Sequence, residues 1–117
     1  MNPEELRKFC LSFPHATEDV KWGNDLCFCV GEKMFCVTGL EAGSHLSFKT
    51  TPENFAELIE LDGIVPAPYV ARYHWVALER FDALPEKKLR DLIGLAYQLV
   101  FEKLPKSKRT ALEKSSR

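Results

Sequence analysis

The densest run of chemically able side chains is Arg72-Tyr73-His74-Trp75, a cation, a phenol, an imidazole and an indole in succession. A guanidinium beside aromatic rings can stack on a nucleobase or clamp a phosphate, and a histidine adds a proton switch. On an extended segment, alternation sends Tyr73 and Trp75 one way and Arg72 and His74 the other. The structural role of the same four residues is therefore a strand anchored by Trp75, with Arg72 and His74 in solvent. A second basic run, Pro105-Lys106-Ser107-Lys108-Arg109, has enough charge to neutralise a few phosphates. Each such contact adds roughly 0.9 to the salt slope of binding. A short basic end also serves simply to keep a chain in solution.

Other chemistries find less support. Cys27, Cys29 and Cys36 could converge on one face of a hairpin and offer thiolates to zinc. Cys-x-Cys without a second close pair is not zinc-knuckle spacing, and no fourth ligand is placed. The cysteines, Cys10 included, read as small hydrophobes. Glu4, Glu5, Glu18 and Asp19 form no dense ridge for iron. A nucleophile needs a base within hydrogen-bond reach and an oxyanion donor, yet His15, His45 and His74 sit in separate segments. Gly39 and Gly43 lack the spacing of a phosphate loop. The expectation is a protein that is not an enzyme and holds no metal or cofactor.

Composition bounds the class. The chain has 117 residues, 45% hydrophobic and 28% charged, which suits one globular domain with its own core. Sixteen Lys and Arg against seventeen Asp and Glu leave a net charge of −1, so no global field advertises a nucleic acid or a membrane. No apolar stretch approaches a bilayer span, and Met1-Asn2-Pro3-Glu4-Glu5 does not begin a signal peptide. The expected compartment is the cytoplasm, with reduced thiols and no membrane partner.

The elements that must position these residues follow from periodicity. Residues 3–13 predict a helix, capped by Asn2, with Leu6, Phe9, Cys10 and Phe13 on one stripe and Pro14 as its stop. Residues 25–30 and 34–38 predict strands around a Gly31-Glu32 hairpin, with Val30 opposite Lys33, Phe28 opposite Phe35 and Cys27 opposite Cys36. Leu26, Phe28, Val30, Phe35 and Val37 then face the core, while Cys27, Cys29, Met34 and Cys36 share the other face. His45 to Lys49 is a further strand, and Val20-Lys21-Trp22 a short one ahead of the hairpin. A second helix starts at Pro52, capped by Thr51, with Phe55, Leu58, Ile59 and Leu61 inward and Gly63 at its end. Two prolines confine Ile64 to Tyr69 to an edge strand, and Trp75 to Leu78 is a last strand. Pro85 opens the longest helix, through about Leu104. Residues 1–104 thus form one α+β domain, a two-layer sandwich of a mainly antiparallel sheet with helices on one face. Residues 105–117 form a basic tail expected to lack fixed structure, its cations opposed by Glu113 alone, which leaves the remainder net acidic.

Phe13-Pro14-His15-Ala16-Thr17-Glu18, Gly23, Lys33-Met34-Phe35, Leu46-Ser47-Phe48-Lys49 before Pro52, Val65-Pro66, His74-Trp75, Leu84-Pro85, Leu89, Ala96-Tyr97 and Lys103-Leu104-Pro105 follow one another with gaps that resemble the MmcQ/YjbR family. The resemblance covers about residues 5–105. It implies an α-β(3)-α-β(2)-α order, similar to type III secretion chaperones and more loosely to frataxin-like sandwiches. It also implies binding of double-stranded DNA through a double-wing motif. Carried onto this chain, the contacts fall to Lys33, Lys49, Arg72, His74 and Trp75, to which the tail adds Lys106, Lys108 and Arg109. Where the family usually reads Ser-Tyr, this chain has Ala96-Tyr97, so one hydroxyl is gone.

Three functions compete on this reading. One is a DNA-binding module that gathers its cations on one face. Another is a chaperone-like adaptor for a protein partner or a second copy, using the Cys27, Cys29, Met34 and Cys36 face with Leu95 and Phe101. The last is a small-molecule cleft near Trp22, Tyr69, His74 and Tyr97.

Overall fold

The computed structural model describes residues 1–40, 45–68 and 70–114. Helix α1 (Pro3–Leu11) starts where the Asn2 side chain accepts the Glu5 N–H at 2.8 Å while the Glu5 carboxylate accepts the Asn2 N–H. This reciprocal cap satisfies two of the donors that a helix start leaves open. The helix ends two residues earlier than its periodicity suggests, because the Ser12 hydroxyl donates to the Phe9 carbonyl oxygen and closes the last turn.

Six strands follow: β1 (Thr17–Lys21), β2 (Asp25–Val30), β3 (Lys33–Gly39), β4 (Leu46–Lys49), β5 (Ile64–Pro66) and β6 (Trp75–Leu78). They form one antiparallel sheet in the order β1-β2-β3-β4-β6-β5. Helix α2 (Pro52–Leu58), capped by Thr51, links β4 to β5. Helix α3 (Glu86–Glu102) crosses the sheet, and α4 (Lys106–Lys114) ends the described chain. The protein is an α+β sandwich with its helices on one face.

Three details differ from the sequence reading. The strand ahead of the hairpin is Thr17–Lys21 and leaves Trp22 out, so the order is α-β(4)-α-β(2)-α-α. The tail expected to lack structure is helical from Lys106 to Lys114, and residues 115–117 lie outside the described residues. Leu112 packs against the helix-side core and the Lys108 ammonium meets Glu32 at 3.3 Å, which ties α4 down. Third, Leu61 is exposed, because α2 stops at Leu58, well before Gly63.

The hairpin register also shifts. Val30 opposes Lys33 as expected, but Phe28 opposes Cys36 and Cys27 opposes Val37. A β-bulge makes the difference: Cys29 opposes Met34, so Phe35 is an extra residue in β3. Phe35 and Cys36 therefore both join the helix-side core with Leu6, Cys10, Phe28, Leu89 and Ile93. Val37 turns to the opposite face, beside Cys27, Cys29, Ala67, Trp75 and Ala77. The three cysteines read as sharing one face are split across the sheet, so they make no common metal site. Among the described residues no cluster of His, Cys, Asp and Glu could hold a metal ion.

Candidate nucleic-acid interface

Strand register brings most of the candidate residues together. Lys33 begins β3, and Lys49 ends the antiparallel β4. Because Cys36 pairs with Phe48, these two lysines lie at the same end of the sheet. Lys49 pairs in turn with Trp75, so β6 and the 3-10 turn Ala71–Tyr73 before it open at that end too. The end of α3 arrives there as well. The side chain of Leu104 lies where a Cβ on Gly31 would stand, and Lys103 is close enough to repel Lys49. Lys106, Lys108 and Arg109 follow on α4, with Lys108 paired to Glu32 of the hairpin turn.

The local geometry differs from residue to residue. Lys33 and Arg72 are exposed, and the Arg72 guanidinium lies 4.9 Å from the centre of the Tyr73 ring. The Lys49 ammonium donates to the Tyr73 carbonyl oxygen at 2.8 Å, strapping the turn to β4. Burial holds Lys49 below the ordinary lysine pKa, and the neighbouring Lys103 charge adds to the effect. His74 closes the 3-10 turn in the left-handed region, φ 65, with its ring edge-on to Phe55 at 5.7 Å. Arg109 is half-buried, and its Nε finds no acceptor among the described residues. Trp75 is only 6% exposed in the small cluster on the helix-free face, which leaves it on a different surface from the exposed Lys33 and Arg72 and with little ring to stack on a duplex base. Carboxylates share this end as well: Glu32, Glu53 in the first turn of α2, and Glu102 beside Lys103 at the end of α3.

The opposite end carries a mixed, acid-rich set. Asp62 and Asp82 flank Arg80 at 3.4 and 3.0 Å, and Glu86 receives both Arg90 and the Met1 ammonium. Lys103 is the residue that sequence reasoning left out of the candidate site. Its signal was weak, since it stands in the last turn of the segment read as the longest helix, beside Glu102.

A cleft joining Trp22 to Tyr97 does not form. Trp22 borders the helix-free face, whereas Tyr97 lies in the helix layer and donates its hydroxyl proton to the Pro14 carbonyl oxygen at 2.8 Å. Tyr69 lies outside the described residues. Leu95 and Phe101, read as surface for a protein partner, are both half-buried, and Phe101 stacks on Tyr97 at 6.0 Å. Among the described residues no helix is long and apolar enough to cross a membrane.

Comparison with known proteins matches residues 11–99 to the YjbR family model. The chain belongs to the YjbR family. It is 29% identical over 118 residues to the "Uncharacterized protein YjbR" of Escherichia coli K12, spanning 96% of this chain and 98% of that one. The protein of the same name in Escherichia coli O157:H7 gives the same figures. Among solved structures, a Deinococcus radiodurans protein with a DUF419 domain superposes with a TM-score of 0.86 at 28% identity, covering 96% of this chain and 88% of that one. A Pseudomonas syringae protein at 20% identity shares the fold, with a TM-score of 0.71 over 86% of this chain and 99% of its own. The fold of this YjbR chain is thus one that its relatives share over nearly their whole length.

Proposed function

We propose that this YjbR protein binds double-stranded DNA through the cationic end of its sheet, without catalysis. The observation that supports the reading is the gathering of Lys33, Lys49, Arg72, Lys103, Lys106, Lys108 and Arg109 at one end of a chain whose net charge is −1. A phosphate backbone is drawn to a local concentration of cations, whatever the net charge of the chain. Glu32, Glu53 and Glu102 set a limit on that attraction, so the affinity is modest, and its salt dependence follows the number of phosphates contacted. With Trp75 buried, backbone contacts dominate and base reading is slight, which predicts little sequence preference.

The test is fluorescence anisotropy of a labelled random-sequence duplex at several salt concentrations. It compares the natural chain with a Lys106→Gln, Lys108→Gln, Arg109→Gln variant and with a Lys33→Gln, Arg72→Gln variant. Binding should weaken linearly in log–log salt plots, and each removed contact should lower the slope by about 1. No binding at low salt, or identical slopes in all three proteins, would overturn the reading in favour of a protein-binding adaptor.

A further inference from the structure

The sheet face without helices carries a cavity of about 530 Å³, a volume within the usual range for small-molecule sites. Its origin is a set of small residues brought into line by register. Asp25 pairs with Gly39, whose N–H donates to the His45 carbonyl oxygen at 3.4 Å. In the next row Cys27 pairs with Val37, Val37 with Ser47 and Ser47 with Ala77. Of these, Val37 and Ser47 line the cavity together with Ala67, a floor of little bulk, while Trp75 stands on the β6 side.

Trp22 completes the enclosure. It sits at the β1–β2 turn in the left-handed region, φ 52, where a bulky side chain is rarely found, and 70% of it is exposed at the rim. Backbone in that region at a non-glycine residue is a reason to look for a function. The turn is fixed rather than loose, since Leu40 donates its N–H to the Asn24 carbonyl oxygen at 2.9 Å. Among the described residues, the Asp25 carboxylate has no ion pair, and the Ser47 hydroxyl makes no hydrogen bond.

We infer that this cavity binds a small aromatic amine. Its ammonium group meets the Asp25 carboxylate beside the Trp22 ring, and its ring lies over Val37 and Ser47 toward Trp75. A carboxylate and an indole face both favour a cation, one by charge-assisted hydrogen bonding and the other through the ring quadrupole. The apolar floor favours a flat hydrocarbon body; His45 also lines the cavity, and the amine competes for Asp25 with Lys21, which stands opposite it on β1. The site lies on the helix-free face and uses none of the cations proposed to contact DNA.

Both tryptophans of the chain line the cavity, so their fluorescence reports on it directly. The full chain would be titrated with 2-phenylethylamine, 2-phenylethanol and phenylacetate. The amine should give a saturable change and bind about tenfold more tightly than the alcohol, with phenylacetate weakest. Asp25→Asn should erase the amine's advantage over the alcohol. Trp22→Gly, which the left-handed backbone accepts without strain, should weaken the amine while the Trp75 emission still reports a folded protein. Equal binding of amine and alcohol, an unsaturable signal, or an unchanged preference in Asp25→Asn would each overturn the proposal.

Discussion

The Lys49 ammonium donates to the carbonyl oxygen of Tyr73 at 2.8 Å, joining the end of β4 to the turn that carries Arg72. One lysine thus both shapes the cationic end and supplies part of its charge.

Replacing Lys49 with methionine separates the two roles. The aliphatic stem remains, and the loss of one exposed hydrogen bond should lower stability by no more than about 1 kcal/mol. Duplex binding, by contrast, should weaken together with its salt slope. The sign of the pH effect is fixed as well. Burial lowers the folded-state pKa of Lys49 below the ordinary value of 10.5, so the unfolded chain holds the proton more firmly. Stability contributed by this group therefore rises as pH climbs from the folded value toward 10.5. Denaturant midpoints of the natural chain and Lys49→Met should therefore move apart across that window, with the natural chain gaining.

Tyr97 provides a test away from the charged end. Its hydroxyl reaches the Pro14 carbonyl oxygen, and its ring stacks on Phe13 at 4.8 Å. Tyr97→Phe should cost about 1 kcal/mol and Tyr97→Ala about 3–5 kcal/mol in chemical denaturation. Duplex binding by Tyr97→Phe should match the natural chain. A loss of binding in that variant would mean the DNA surface extends onto the helix layer.

Thr50 carries a buried hydroxyl with no hydrogen-bond partner among the described residues. A valine has the same shape without the polar group. Thr50→Val should raise stability by about 1 kcal/mol, measured as a shift in the urea midpoint at constant slope. A destabilised variant would reveal a partner for that hydroxyl.

The four cysteines are buried and reduced. Burial pushes the Cys27 thiol up to about 11, with the neighbouring Cys29 adding to the effect, and it raises Cys29 and Cys36 as well. Alkylation of Cys27 in the native protein at pH 8 should run on the order of a hundredfold slower than that of a free thiol, because so little thiolate is present. Mass spectrometry against time, with and without denaturant, checks this. Fast native modification of Cys27 would show that its strand opens readily.

The parts legible in the sequence were those written in local pattern. Leu6 and Cys10 at helical spacing, the Asn2 and Thr51 caps, and the prolines that mark the β5 edge all act within a few residues, and all were found. What escaped depended on distant chain. The bulge at Phe35 turns Cys36 from one face to the other, and nothing in the alternation of β3 announces it. Helix α4 offers one large apolar residue, Leu112, too little for a period, and is held by Glu32 and Leu104 instead. The cavity arises where Val37, Ser47 and Ala67 meet on one face, although they are far apart in sequence. Small residues carry no signal until register aligns them. The cationic end was half visible: its residues were named, but their meeting place is a property of strand pairing.

The contact between Gly31 and Leu104 bears on how the protein is made. A chain leaving the ribosome exposes α1 and the first hairpin early, with Leu6, Phe28 and Phe35 lacking the helix that covers them. Neighbouring strands can pair as they emerge, since the sheet order departs from chain order only at β5 and β6. The covering layer is α3, which follows all six strands and carries Leu89, Ile93 and Tyr97 onto that surface. Core closure therefore waits until α3 has emerged, because non-local contacts cannot form until both partners exist. During that interval the half-built sheet is the state most exposed to aggregation and to chaperone capture. Synonymous changes that slow decoding before the α3 codons should lengthen it, at no cost to the stability of the finished protein.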